Sequence, residues 1–137
     1  MNKEKTFTFK YDPTISLPQM GEKMLEAVRT GEPSLYLHQI SFASIKDITE
    51  EFLSPRPKVF ACLVEKQPQS LYQLAKLLNR DYANVYKDVK SLVAMGIIKL
   101  AKEGERIRPL PCYEQIVFDF QVKQVFPQTS QLKEIRI

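Results

Sequence analysis

Two helical patterns separated by only three residues constrain this chain more than any other feature. The first begins after Ser70, a candidate N-cap. Its apolar residues recur at helical spacing: Leu71, Leu74, Ala75 and Leu78. The second is predicted over 82–95, between Asp81 as its N-cap and Gly96 as the residue that ends it. Asn79 in the connection tolerates the left-handed backbone conformation that such a turn often needs. The pattern therefore predicts two helices that cross next to a tight turn.

The second helix has one apolar face and one polar face. Its apolar positions are Val85, Val89, Leu92 and Val93. At about 100° per residue, Lys87 falls almost opposite the centre of this stripe. The positions beside it are small, amide or cationic: Ala83, Asn84, Lys90, Ser91 and Ala94. A helix that enters the major groove needs small residues for close approach, Asn for adenine edges, and Lys for guanine or phosphate. We therefore predict that the DNA-reading residues are Asn84, Lys87, Lys90 and Ser91.

A basic β-hairpin follows this helix. The sequence predicts a strand at 97–102, a turn centred on Gly104, and a returning strand that begins at Arg106. Arginine near the tip of such a hairpin can reach an adjacent minor groove, where the negative potential attracts it. Glu103 and Glu105 share the turn and oppose a phosphate contact. The predicted backbone-contacting residues of the hairpin and of the preceding helix are Lys76, Arg80, Lys99, Arg106 and Arg108.

The elements around this core follow from local signals. Ser44 caps a predicted helix over 45–53, and Pro55 and Pro57 lie in the first turn of the next, which ends before Gln67-Pro68. Period-2 alternation predicts strands at 5–11 and 114–123, and a pattern without strict alternation predicts a further strand at 35–42. Between the first two strands, a capping box formed by Ser16 and Gln19 predicts a helix that Gly31 ends.

The charge of the chain is unevenly distributed. The total is +4, but residues 55–112 hold eleven basic and five acidic side chains, a net charge of +6, and the remaining residues carry −2. A basic segment between mildly acidic flanks favours contact with a polyanion. This charge lies on the helix and the hairpin, whose apolar faces we assign to the core.

Other function classes find little support in the residues. No apolar stretch reaches the length of about 20 residues that a membrane span needs, and no apolar signal segment follows the charged N-terminus. A single histidine, His38, does not make a metal site, and no phosphate-binding glycine loop or catalytic triad is present. Two cysteines, Cys62 and Cys112, favour a reducing, cytoplasmic setting, although a redox-sensing pair stays open as an alternative. We therefore expect no enzyme activity, no metal and no cofactor.

The stretch from Leu74 to Leu92, within Ser70–Leu100, resembles the winged helix-turn-helix transcriptional regulators, and in particular the MarR-like group of small prokaryotic predicted regulators. An Arg80-Asp81-Tyr82 turn leads into the second helix, and Leu92-Val93-Ala94-Met95-Gly96-Ile97 leads into the hairpin, as in that group. Asn79 stands where the pattern usually has glycine. The resemblance covers roughly residues 42–120. It implies a winged helix-turn-helix whose recognition helix is 82–95 and whose wing is 99–108, and it implies DNA binding as a class.

Several side chains keep two interpretations. Tyr86 lies on the flank of the recognition helix and either contacts a phosphate through its hydroxyl or is structural, whereas Tyr82 is predicted to pack toward the core. Lys76 and Tyr72 are either phosphate contacts or solvated residues. Asp88 either pairs with a neighbour of Lys87 or with a lysine of another helix.

These patterns together predict an α+β protein, a winged helix-turn-helix with an N-terminal strand–helix–strand extension. We divide it into an extension at 1–43 for dimerisation or partner binding, a DNA-binding domain at 44–123 and a C-terminal tail at 124–137. The expected function is a cytoplasmic, sequence-specific regulator that binds double-stranded DNA at a palindromic operator as a homodimer. The alternative is a protein-interaction module, such as the antitoxin component that binds a toxin-like protein partner.

Overall fold

The computed structural model of this protein describes residues 5–14, 38–122 and 131–137. This part of the chain is a mixed α and β structure. Its elements in chain order are β1 (Thr6–Tyr11), β2 (Gln39–Phe42), α1 (Ile45–Leu53), α2 (Arg56–Lys66), α3 (Leu71–Leu78), α4 (Tyr82–Ala94), β3 (Ile98–Glu103), β4 (Arg106–Pro111) and β5 (Gln115–Asp119).

Side-chain caps fix the starts of three of these helices, as the sequence predicts. The Ser44 hydroxyl accepts from the Asp47 N–H at 3.1 Å at the start of α1. The Ser70 hydroxyl does the same for α3, also at 3.1 Å, and Asp81 caps α4 at 3.4 Å. Each contact satisfies one backbone donor that a helix N-terminus leaves without a partner, which contributes about 1 kcal/mol. The helix boundaries are therefore set locally.

Three strands form a parallel sheet in the order β2–β1–β5. The register places Phe9 of β1 beside Ile40 of β2 and Phe118 of β5. Strands β1 and β5 lie about a hundred residues apart in the chain, so this sheet joins its two ends. The boundary that we predict at residue 43 falls between β2 and α1, and the sheet contains strands from both sides of it. The division of the chain into functional segments stays a prediction.

One hydrophobic core holds the sheet, the helices and the base of the hairpin together. Phe7 and Phe9 of β1 are 2% and 1% exposed and belong to the same cluster as Leu63, Leu74 and Val89 from three different helices. Phe9 also stacks on Phe118, with 4.7 Å between the ring centroids. Burial of a phenylalanine side chain contributes about 1.5–3 kcal/mol. Strand β1 therefore belongs to the core on which α4 packs.

The structure corrects the length of one predicted strand. The strand predicted over 114–123 is shorter, because β1 offers partners only up to the pair Lys10–Asp119. The Asp119 carboxylate then accepts from the Gln121 N–H at 3.0 Å, a local contact that turns the chain out of the sheet. Phe120 and Val122, within the predicted range but beyond β5, are exposed.

The strand predicted over 35–42 begins at Gln39 within the described residues. The helix that we predict after Ser16 lies outside the described residues. Residues 131–137 are exposed and form neither helix nor strand. None of the described helices is long and apolar enough to cross a membrane.

Candidate nucleic-acid interface

The turn between α3 and α4 has the geometry that the sequence predicts. Asn79 adopts φ 52° and ψ 48°, the left-handed conformation, and its N–H donates to the last carbonyls of α3. Ala75 of α3 and Val85 of α4 are 6% and 1% exposed. A small residue at Ala75 allows the two helices to pack closely beside the turn. The turn thus fixes the direction of α4.

Helix α4 buries one face and exposes the other. Val85, Val89 and Leu92 are at most 1% exposed and belong to the core. Val93, which we predict on the same face, is instead 37% exposed, because it lies at the edge of the stripe. Asn84, Lys87 and Lys90, which we predict to read DNA, are all exposed. No carboxylate among residues 5–14, 38–122 and 131–137 forms an ion pair with either lysine. The outer face of α4 thus presents an amide and two cations that are free of acidic partners in this part of the chain.

Ser91 is placed differently from the other predicted reading residues. Its side chain is half-buried, and its hydroxyl donates to the Lys87 carbonyl at 3.2 Å within the helix. The hydroxyl keeps its lone pairs as acceptors, so its predicted contact with DNA is still chemically available.

A buried ion-pair network holds α4 to the rest of the core. Asp88 of α4 is 8% exposed and accepts from Arg80 Nη1 at 2.8 Å. Arg56 Nη1 of α2 lies 3.7 Å from the second oxygen of the same carboxylate. Arg56 also donates twice to Glu51 of α1, at 2.9 Å and 2.6 Å. The bond to Glu51, together with the charges of Glu51 and Asp88, raises the pKa of Arg56.

This network corrects our interpretation of Asp88. We expected a neighbour of Lys87 or a lysine of another helix as the partner, and the structure instead gives two arginines, one from α2 and one from the turn. Arg80, which we predict to contact the DNA backbone, is therefore engaged within the protein. A buried carboxylate needs such partners, because a charge that is removed from water without them is costly.

Three tyrosines, one from α3 and two from α4, stack on the surface, a group that the sequence pattern does not reveal. The Tyr72 and Tyr82 ring centroids are 4.6 Å apart with an angle of 22° between the planes, and those of Tyr82 and Tyr86 are 6.1 Å apart at 10°. Lys90 Nζ lies 5.7 Å from the centroid of the Tyr86 ring. We call the three rings the tyrosine stack. Tyr82 also packs against the core, which confirms that part of its prediction.

Some of the hairpin residues that we predict to contact the DNA backbone lie near the candidate interface, and others lie away from it. Arg106 is exposed next to the turn, where it pairs with Glu103 in the strand register. Lys99 pairs with Leu110 near the other end of the hairpin. It lies close enough to Cys112 for its positive charge to act on the pKa of the thiol. Arg108 is half-buried, with its Nη1 3.8 Å from a Glu103 oxygen. Gly104 has φ +65° with open space around it, as the predicted turn requires.

A surface cleft joins α3, the start of α4 and the tip of the hairpin. It has a volume of about 720 Å³. Lys76 and Arg106, two of the predicted backbone contacts, lie on its walls together with Tyr72 and Tyr82. One acidic residue, Glu105, also lines it. The cleft thus connects the tip of the hairpin to the tyrosine stack.

The two cysteines and the histidine differ in burial: Cys62 is buried, His38 is half-buried and Cys112 is exposed. Cys62 is 7% exposed in α2, and burial raises the pKa of its thiol. Burial also raises the pKa of the Cys112 thiol, and the positive charge of Lys99 offsets part of this rise. A 2.9 Å hydrogen bond joins His38 Nδ1 to the Tyr113 hydroxyl, and burial is the main cause that raises the pKa of Tyr113. The described residues contain no group of three or more His, Cys, Asp or Glu that could hold a metal ion.

Comparison with known proteins matches part of the chain to one family. The model of the family designated HVO_A0114 matches residues 54–118. This segment runs from the residue pair before α2 into β5, so it contains α2, α3, α4, the hairpin and most of the last strand. No curated protein and no solved structure matched the chain. The family designation names no activity.

Proposed function

We propose that the α2–α4 helices and the β3–β4 hairpin form a winged helix-turn-helix that binds double-stranded DNA. In this proposal α4 is the recognition helix and the hairpin is the wing. The chain is then a sequence-specific transcriptional regulator in the cytoplasm. The observation that carries the proposal is the exposed face of α4, where Lys87 lies opposite the buried apolar residues and Asn84 and Lys90 lie beside it.

The chemistry of this face suits a major groove. Asn hydrogen-bonds to adenine N6 and N7, and Lys contacts guanine or phosphate. Neither lysine has an acidic partner among the described residues, so binding DNA breaks no ion pair of the protein there. The buried network around Asp88 holds α4 in a fixed orientation, which reduces the conformational entropy that the protein loses on binding.

The wing supplies contacts to the DNA backbone beside the helix. Arg106 is exposed at the tip and is our first choice for an adjacent minor groove. Lys76 lies across the same cleft on α3. We propose that these two cations position the protein, and that Lys99 and Arg108 contribute less, because one lies near the base of the hairpin and the other is half-buried beside Glu103.

The proposed regulator acts as a homodimer on a palindromic site. A protein dimer with two-fold symmetry places two recognition helices one turn of DNA apart, so half-sites recur at a spacing of about 10 base pairs or a multiple of it. The sheet β2–β1–β5 lies outside the winged helix-turn-helix and gives the chain surface for a second copy.

Selection of bound sequences from random duplex DNA tests this proposal directly. We expect an enriched motif with two-fold symmetry. The double variant Lys87→Ala with Lys90→Ala should lose binding to the enriched sequence. The matched control removes two exposed lysines elsewhere, Lys46→Ala with Lys133→Ala, and should keep most of it. Selection that enriches no sequence, or a control that loses as much affinity as the double variant, would contradict the proposal.

A second candidate function is a protein-interaction module of the antitoxin type, and one observation favours it. Apolar side chains are exposed at the end of α1, where Phe52 is 51% and Leu53 76% exposed. Exposed apolar groups of this kind are typical of surfaces that bind a protein. Co-expression with the product of an adjacent reading frame tests it. A complex that persists in the Lys87→Ala, Lys90→Ala variant would support this function independently of DNA.

A further inference from the structure

We propose that the cleft between α3 and the hairpin tip binds an unpaired nucleobase, which stacks on the outer face of the Tyr72 ring. The inference rests on the proposed nucleic-acid function. It adds that this protein binds a duplex with adjacent single-stranded nucleotides more tightly than it binds the same duplex alone.

The tyrosine stack has one closed end and one open end. At the Tyr86 end, the Lys90 ammonium lies over the ring, 5.7 Å from its centroid. At the other end, Tyr72 is 71% exposed although one face of its ring already contacts Tyr82 at 4.6 Å. No further ring contacts Tyr72 within the described part of the chain. The outer face of Tyr72 is therefore available to another flat, aromatic group.

The structure holds Tyr72 in place before any ligand arrives. Tyr72 is the second residue of α3, two positions after the N-cap Ser70. Tyr82, on which it stacks, packs against the core from the first position of α4. A preordered ring loses little conformational freedom when it stacks on a ligand, so more of the stacking energy appears as affinity.

The walls of the cleft suit the backbone of a nucleotide strand. Lys76 lies four residues after Tyr72 and therefore on the same side of α3. Arg106 lines the opposite wall from the hairpin, so cations stand on both sides of the exposed ring. Glu105 is the only acidic residue among the described residues that line the cleft, so the net charge of these residues is +1. A volume of about 720 Å³ lies in the range of sites that take small aromatic ligands.

An amide on the wall can contact the edge of a base. The Gln73 side-chain oxygen accepts from the Gln69 N–H at 2.5 Å, which fixes the orientation of the carboxamide. Its NH₂ group is then left as a donor, and both residues line the cleft. A flat ring, flanking cations and an amide donor are together the features with which proteins bind single-stranded nucleic acid.

The base must be unpaired, because a base inside a duplex has a neighbour on each face. An overhang, a bulge or an extruded nucleotide offers the free face that Tyr72 needs. Stacking of one base on an aromatic side chain changes affinity about 5- to 150-fold. A duplex with a short single-stranded extension should therefore bind at least about 5-fold more tightly than the same duplex with blunt ends.

The experiment compares three probes by fluorescence anisotropy with the full chain at one salt concentration. The probes are a blunt duplex and the same duplex with a three-nucleotide 5′ or 3′ overhang. The overhangs carry 2-aminopurine, whose fluorescence falls when it stacks on a ring. We expect tighter binding and quenching with an overhang. Tyr72→Leu should abolish both effects, whereas Tyr72→Phe should retain them.

The control variant is Phe52→Leu, which replaces an exposed aromatic residue of α1 that does not line the cleft. It should behave as the unmodified chain does. Equal affinity for all three probes, or an overhang advantage that survives Tyr72→Leu, would overturn the inference. If the blunt duplex still binds in that case, the proposed function stands alone. If no probe binds, both fail. If only overhang probes bind, and through Tyr72, the duplex proposal fails and the base site stands.

Discussion

Arg80 Nη1 donates a 2.8 Å hydrogen bond to the carboxylate of Asp88, so the turn before α4 is bonded to the middle of α4 itself. The same carboxylate faces Arg56 of α2 at 3.7 Å. Helix α4 therefore meets the core through an apolar stripe and an ionic contact to two other parts of the fold. Both contacts resist rotation of the helix about its axis, which would move its exposed residues.

Removal of the Asp88 carboxylate should destabilise the fold. Asp88→Ala leaves two partly buried guanidinium groups without their shared partner, and we expect a loss of about 2–4 kcal/mol in the free energy of unfolding. Urea denaturation followed by circular dichroism measures it. The control is Glu50→Gln, which breaks the exposed Lys46–Glu50 pair and should change stability by less than about 0.5 kcal/mol. Equal effects of the two substitutions would contradict the role assigned to Asp88.

The left-handed residue of the turn gives a second prediction. Asn79 has φ 52°, a conformation that costs most L-residues about 1–2 kcal/mol and glycine almost nothing. We expect Asn79→Gly to keep or slightly raise the unfolding temperature and Asn79→Ala to lower it by several degrees. Differential scanning calorimetry of the unmodified chain and the two variants gives the order of their unfolding temperatures. An alanine variant as stable as the glycine variant would show that the turn does not require this conformation.

The cysteines should differ in their reaction with iodoacetamide. Burial raises the pKa of Cys112, so less thiolate is present at pH 7.5 than for a free cysteine, and alkylation should be slower and continue to accelerate above pH 9. Cys62 is 7% exposed and should react only after unfolding in urea. Mass spectrometry of the alkylated peptides separates the two. Rapid modification of Cys112 at neutral pH would instead support the redox-sensing alternative.

The tip of the hairpin should contribute to DNA affinity without contributing to stability. Arg106→Ala is expected to weaken binding to every duplex by a similar factor, because a backbone contact carries no sequence information. Lys102→Ala, an exposed cation in the partner strand, is the matched control. A larger loss for Lys102 than for Arg106 would place the nucleic acid elsewhere on the hairpin.

The helices could be predicted from the sequence because their signals are local. Ser44, Ser70 and Asp81 each cap a helix within three residues of the group that they bond. Asn79 and Gly96 have the positive φ values that the turn and the helix end require. The sequence also predicts which face of α4 is buried, because the period of 3.6 residues places Val85, Val89 and Leu92 together.

Contacts between distant residues could not be predicted in this way. The pairing of β1 with β5 joins residues about a hundred positions apart, and alternation within a strand does not indicate its partner. Asp88 and Arg56 are 32 positions apart, so no local spacing indicates this pair, and neither of the partners that we considered for Asp88 is found. In the tyrosine stack, the spacing of Tyr82 and Tyr86 was a usable signal, whereas Tyr72 joins them only across the turn.

The central claim is that α4 binds double-stranded DNA through its exposed cations, and the salt dependence of affinity tests it most directly. With four to six phosphates neutralised, the logarithm of affinity should fall with the logarithm of salt concentration with a slope of about −4 to −5. Lys87→Ala with Lys90→Ala should make that slope less steep by about 2, and the control Lys46→Ala with Lys133→Ala should leave it unchanged. Affinity that does not depend on salt, or a slope that the α4 substitutions leave unchanged, would contradict the account.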